Sequence, residues 1–213
     1  MSELSAKVEQ FLREQQPPTP FVVIDLDRVE ERYHTLAAAI PSAVTYYAVK
    51  ANPALPILER LHSLGSSFDV ASPGEIDMAL AAGADPSRIS YGNTMKKRRD
   101  IAYAVDRGVR YFSFDAVEEL DKIIDVVRSR AATVDPAEVM VFCRILCDGA
   151  GSDWPLSRKF GTTPELAKDL LVTAAEKGLQ VGVSFHVGSQ QRNVDAWDTA
   201  LSSVAGVFEH LAE

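Results

Sequence analysis

Reactive side chains stand at the ends of short β-branched or aromatic runs in this sequence. Lys50 closes VTYYAVK, Asp69 falls in FDVAS with Ser72 at its end, and Asn93 closes RISYGN. Asp115 closes YFSFD, Arg144 stands near the end of VMVFCRI, and His186, Gly188 and Ser189 close VGVSFHVGS. In parallel α/β folds such groups project from the C-terminal ends of the strands into one mouth. An amine, carboxylates, a guanidinium, an imidazole and a Gly-Ser turn would then share a cavity. Strand ends are also polar simply because they meet loops, so no single member, such as Asn93 or Asp115, carries this reading alone.

Lys50 stands apart, because it ends an apolar run and precedes Ala51-Asn52-Pro53. Burial at a strand tip would lower its pKa and free its lone pair to attack a carbonyl, as a Schiff-base lysine requires. A structural ion pair is the plainer role for a strand-end lysine. His186 follows the apolar VGVSF and precedes Gly188-Ser189. A flat imidazole there can lie against a planar cofactor, and backbone N–H groups with a hydroxyl in a Gly-Ser turn can hold a phosphate. Lysine, stacked histidine and phosphate turn together point to pyridoxal phosphate (PLP); a hydrogen-bonded core histidine is the alternative. No metal site is expected.

The elements that must position these groups are read from periodicity. Leu4, Val8, Phe11 and Leu12 recur at helical spacing within Ser2 to Gln15, and Pro17-Pro18-Thr19-Pro20 ends that amphipathic helix. Residues 1–20 are therefore expected to form a helix and Pro-rich linker. Thereafter strand-like runs, beginning with FVVID (Phe21 to Asp25), alternate with helical stretches such as PALPILERLHSLG and AVEELDKIIDVVRSR. Most of these stretches end in Gly or a basic residue, as helix C-termini do. The alternation predicts βαβ units, a parallel sheet covered by helices, and one α/β domain over 21–213.

The chain has 213 residues, 22 Lys+Arg against 30 Asp+Glu, a formal net charge of -8 and 46% hydrophobic residues. This is a globular composition with enough length for a sizeable core, which excludes disorder. The acidic balance disfavours nucleic acid as a partner, since phosphate neutralisation needs clustered Lys and Arg. The basic cluster Lys96-Lys97-Arg98-Arg99 reads as a solvated helix start or loop. No apolar run approaches the roughly 20 residues that span a bilayer, and the N-terminus lacks a signal-peptide core, so a cytoplasmic protein without membrane contact is expected. Cys143 and Cys147, in CRILC, are expected on one face of a strand, roughly 13 Å apart along an extended chain, and are expected to be free thiols.

From Pro20 to about Glu213 the chain resembles the fold type III PLP-dependent decarboxylases, an alanine-racemase-like barrel family, most closely its ornithine decarboxylase group. The phrases that carry the resemblance are PFVVIDL, YYAVKAN, FDVASPGEI, the RKFG of SRKFG, and SFHVGS, all in the family order. The resemblance implies that Lys50 forms the Schiff base with PLP, that His186 stacks on the ring, and that Ser189, with Gly188, binds the phosphate. It implies that Asp69 and Arg144 support the lysine and the ring substituents, that Ser72 and Glu75 lie just behind them, and that Lys159 belongs to a loop bordering the site. The implied reaction is α-decarboxylation of a small cationic amino acid, ornithine first (giving putrescine, in polyamine biosynthesis) and lysine second, in a homodimer when full length.

The strands from VTYYAVK to VGVSFHVGS would be six of the eight in a (β/α)8 TIM barrel. The family's phosphate-loop glycines after strand seven, its acidic partner for the pyridine nitrogen and its C-terminal β-domain find no match in this sequence. The chain is thus expected to be the N-terminal portion of a longer polypeptide, binding PLP weakly and turning over slowly or not at all by itself. Other readings stay open: diaminopimelate decarboxylase or racemase on the same fold, a non-catalytic PLP-binding protein, or a cofactor-free Schiff-base aldolase.

Overall fold

The computed structural model describes residues 4–154 and 159–212. Ser2 of the first expected helix, and Ser157 and Arg158 of SRKFG, lie outside them. Helix α1 (Ala6–Gln15) starts at Ser5, whose hydroxyl accepts the Val8 N–H at 3.3 Å, and buries no residue. It is held to the next segment by Lys7, which pairs with Asp25 at 3.2 Å and with Asp27.

The FVVID run does not form the expected strand. Among the described residues no strand pairs with it, and Val22 is 84% exposed. A β run without a neighbour has no ladder to complete its hydrogen bonds. Instead Asp25 caps α2 (Leu26–Ala39) by accepting the Asp27 N–H, and α2 lies on the next helix through a 2.6 Å Glu30–Arg60 pair.

Six βα units follow, in the sequence β1 (Tyr46–Ala48), α3 (Leu55–Ser63), β2 (Ser67–Val70), α4 (Pro73–Ala81), β3 (Ile89–Tyr91), α5 (Arg98–Asp106), β4 (Tyr111–Phe114), α6 (Val117–Arg128), β5 (Met140–Arg144), β6 (Ser152–Trp154), α7 (Pro164–Glu176), β7 (Gln180–Ser184), β8 (Ser189–Gln191) and α8 (Ala196–Leu211). One parallel sheet runs in the order β1-β2-β3-β4-β5-β7. This is the expected α/β arc of a (β/α)8 barrel. The run through Ser189 is not one strand, however: it breaks after Ser184, and β8 pairs antiparallel with β6 as a separate ribbon.

Register explains which face does what. Phe68, Val70, Ile89, Tyr91, Phe112, Phe114, Val141 and Cys143 are each 1% exposed or less and pack against helix residues such as Leu58, Ile76, Ile101, Ile123 and Leu171. Each such side chain is worth about 1.5–3 kcal/mol of burial. Side chains alternate along a strand, so the opposite face carries the other parity. There Ala48 pairs with Asp69, Asp69 with Ser90, Ser113 with Phe142, and Arg144 with Ser184. One face is apolar and covered by helices; the other mixes small, polar and aromatic residues, Phe142 among them, and gathers the candidate groups. Among the described residues no helix is long and apolar enough to cross a membrane.

Candidate active site

The parallel register brings the C-terminal ends of β1, β2, β3 and β5 level. Lys50, Asp69, Asn93, Thr94 and Arg144 line one cleft there, closed on one side by Phe160. Lys50 sits on a single 3-10 turn (Val49–Ala51) directly after β1. Val49 is fully buried and anchors that turn, but Lys50 itself is exposed. The burial expected at the strand tip is therefore not present: the turn rotates residue 50 out of the strand and its long side chain reaches solvent.

Asp69 is the perturbed group of the cleft. Burial raises its carboxyl pKa to about 6, with the Glu75 carboxylate adding to the rise, while the Lys50 ammonium and Arg144 guanidinium hold it down. Its carboxylate presses on Gly92, where a Cβ would stand 2.1 Å from Oδ1. Arg144 lies over the Phe160 ring with its guanidinium carbon 5.2 Å from the centroid, and burial pushes its pKa down.

Ser72 and Glu75 have a local task. The Ser72 hydroxyl accepts the Glu75 N–H at 3.3 Å, and Glu75 Oε2 accepts the Ala71 N–H at 2.8 Å. This reciprocal cap fixes the start of α4 and the turn that follows Asp69. Asp115 accepts the Gly161 N–H at 2.8 Å, tying the segment that carries Lys159 and Phe160 to the end of β4. Lys159 itself is exposed on that turn.

His186 follows β7 and is exposed. Its Nδ1 accepts the Gly188 N–H at 3.0 Å, which leaves the proton of the neutral ring on Nε2. Partial desolvation, with repulsion from Arg144 and Lys50, lowers its pKa and favours that neutral form. Gly188 adopts φ 101°, and a Cβ there would stand 2.2 Å from Ser152 Oγ. Ser189 opens β8 opposite Trp154. The Gly188-Ser189 corner is thus already partly satisfied by protein: the Gly188 N–H is engaged by His186. Cys143 and Cys147 are both free, and burial drives the Cys143 thiol up to about 12.

The basic cluster is not uniformly solvated. Lys97, Arg98 and Arg99 are exposed, but Lys96 is 4% exposed. Its Nζ donates to Asn93 O (2.8 Å) and Ser113 O (2.5 Å) and pairs with Glu119 at 3.0 Å, above the Tyr91 ring. Burial lowers its pKa to about 8. Lys96 therefore ties the Asn93-Thr94 wall of the cleft to the end of β4. Sequence spacing cannot separate it from its three basic neighbours. Thr94 and Phe160 also went unpredicted, as did Gly92, although a glycine at a strand end is a recognised signal of close approach.

Two larger apolar grooves border α1, α2 and the 21–25 segment, away from these reactive groups. Residues 26–213 match the family model described as pyridoxal-dependent decarboxylase, pyridoxal binding domain. The chain is 41% identical to a lysine/ornithine decarboxylase of Selenomonas ruminantium over 92% of its own length and 48% of that protein. It is 38% identical to an ornithine decarboxylase of Caenorhabditis elegans over 92% of its length and 44% of that protein. It superposes with a TM-score of 0.86 on the arginine decarboxylase of Paramecium bursaria Chlorella virus bound to agmatine, at 31% identity, covering 97% of this chain and 54% of that one. The chain thus spans about half the length of the relatives it matches. A six-strand arc of βα units with a lysine on the turn after its first strand, matched over residues 26–213, belongs to the pyridoxal-dependent decarboxylase family as its pyridoxal-binding domain.

Proposed function

We propose that this chain forms the cofactor site of a PLP-dependent α-decarboxylase acting on a basic amino acid, ornithine first and lysine second. The observation that carries the reading is Lys50 on the turn after β1, in one cleft with the Asp69 carboxyl and the Arg144 guanidinium. The donor set suits PLP: an accessible amine for the aldehyde, a carboxyl and a guanidinium for ring substituents, and a buried Thr94 hydroxyl that has no partner among the described residues. A cytoplasmic homodimer producing putrescine for polyamine synthesis is the wider setting of this reading.

When bound, PLP supplies the electron sink for the charge that departing CO2 leaves behind. Lys50 Nζ would hold the aldehyde carbon, and its exposure leaves it accessible both to the cofactor and to an incoming substrate amine. To act as a nucleophile Nζ must shed a proton. Asp69, with a pKa of about 6, is ionised at neutral pH and supplies a counter-charge to the ammonium within the same cleft. His186, held neutral and fixed through Nδ1, offers an uncharged flat ring. With the Gly188 N–H engaged, phosphate recognition at this corner falls to the Ser189 hydroxyl. The net charge of -8 suits a cationic substrate.

The test is release of labelled CO2 from carboxyl-labelled ornithine, lysine, arginine and diaminopimelate by the whole protein with PLP. Fastest release from ornithine is expected. No release from any of the four would overturn the decarboxylase reading.

A further inference from the structure

Among the described residues two buried side-chain oxygens lack a hydrogen-bond partner, Thr94 Oγ1 and Ser184 Oγ. Both belong to the C-terminal rim of the sheet. Thr94 is 1% exposed and lines the cleft with Lys50 and Asp69, while Ser184 ends β7 opposite Arg144. A buried hydroxyl left unpaired loses its hydration without compensation, so native structures rarely keep one without a reason. The segment that carries Thr94 is also held unusually firmly. Asn93 O accepts from Lys96 Nζ at 2.8 Å, and the Lys96 N–H donates to Glu119 at 3.1 Å, so the residues flanking the Thr94-Met95 pair are both pinned. Threonine's branched Cβ adds its own stiffness. A rigid wall and a hydroxyl with no partner among the described residues, in a residue that lines the cleft, leave that hydroxyl to a group entering the cleft.

We infer that Thr94 is a ligand-binding residue whose Oγ1 hydrogen-bonds the pyridoxal compound that Lys50 holds. The inference rests on the proposed function and deepens it. It assigns to this site a contact separate from Lys50, Asp69, Arg144 and the His186-Ser189 corner.

PLP titration followed by absorbance, together with thermal melting of the PLP-free protein, tests it on wild type, Thr94→Val and Thr94→Ser. The isosteric valine should weaken PLP binding about tenfold, the loss of one hydrogen bond of about 1.4 kcal/mol. It should leave the melting temperature of the PLP-free protein unchanged or raised, since an unsatisfied group has been removed. Serine should retain wild-type affinity. Unchanged PLP affinity in Thr94→Val, or a lowered melting temperature showing that the hydroxyl serves the fold, overturns the inference. A wild-type protein that binds no PLP overturns instead the reading on which it rests.

Discussion

The Asp69 carboxylate lies against the α-carbon of Gly92, so close that a methyl group on residue 92 would stand 2.1 Å from Oδ1. Asp69 and Gly92 belong to adjacent strand ends on the same face of the sheet, joined by the Gly92 N–H to Val70 O bond at 3.0 Å. The glycine is needed for space, because the carboxylate occupies the volume a side chain would fill. Gly92→Ala should therefore cost about 1–3 kcal/mol of stability from overpacking and weaken PLP binding by displacing Asp69. Denaturant unfolding and a PLP titration check both; wild-type values in both would refute the relationship.

Asp69 also sets a pH dependence. Its folded pKa of about 6 lies above the ordinary 3.8 because burial disfavours the charged form. The folded state therefore favours the protonated carboxyl. The stability this contributes is fully present below pH 3.8 and is lost as pH rises through 6. Asp69→Asn cannot ionise, so its stability relative to wild type should rise by about 2–3 kcal/mol between pH 4 and pH 8. Urea unfolding of both proteins at the two pH values gives the difference directly, and a pH-independent gap would show that Asp69 titrates normally.

Lys96 and Glu119 form a buried pair in which each leaves groups stranded if the other is removed. Lys96→Met strands Asn93 O, Ser113 O and part of the Glu119 carboxylate, which keeps Lys122 at 2.5 Å. We expect a loss of about 3 kcal/mol for the single variant. Combining it with Glu119→Gln should cost less than the sum of the two single changes, with a coupling of about 1–3 kcal/mol. Strict additivity in the double-mutant cycle would contradict the pairing.

The reciprocal cap of α4 predicts a smaller effect. Glu75→Ala removes the acceptor of the Ala71 N–H and should cost about 1 kcal/mol. Because Glu75 also raises the Asp69 pKa, the Asp69 titration should move to lower pH in this variant. A carbon-13 NMR titration of the carboxyl groups reads that shift, and an unmoved Asp69 pKa would count against their coupling.

The βα rhythm was legible because each strand's outer face is made of residues such as Phe68, Val70, Phe112 and Phe114, whose type follows from burial against helices. FVVID has the same composition, but composition does not supply a neighbouring strand, and so it misled. Lys50 was found by its place at the end of an apolar run, yet its exposure depends on the 3-10 turn that Val49 anchors, which no periodicity reveals. The β6–β8 ribbon is three residues on each side and leaves no readable pattern. Lys96 is hidden for a related reason: its burial is tied to Glu119 and Ser113, which are distant in sequence.

We propose that the cofactor bonds to Lys50. Incubating the protein with PLP, reducing with borohydride and mapping the peptides by mass should place the pyridoxyl group on Lys50, with no labelling there in Lys50→Ala and no transfer to another lysine. A label on Lys96, Lys159 or any lysine other than Lys50, or no label at all, would overturn that assignment.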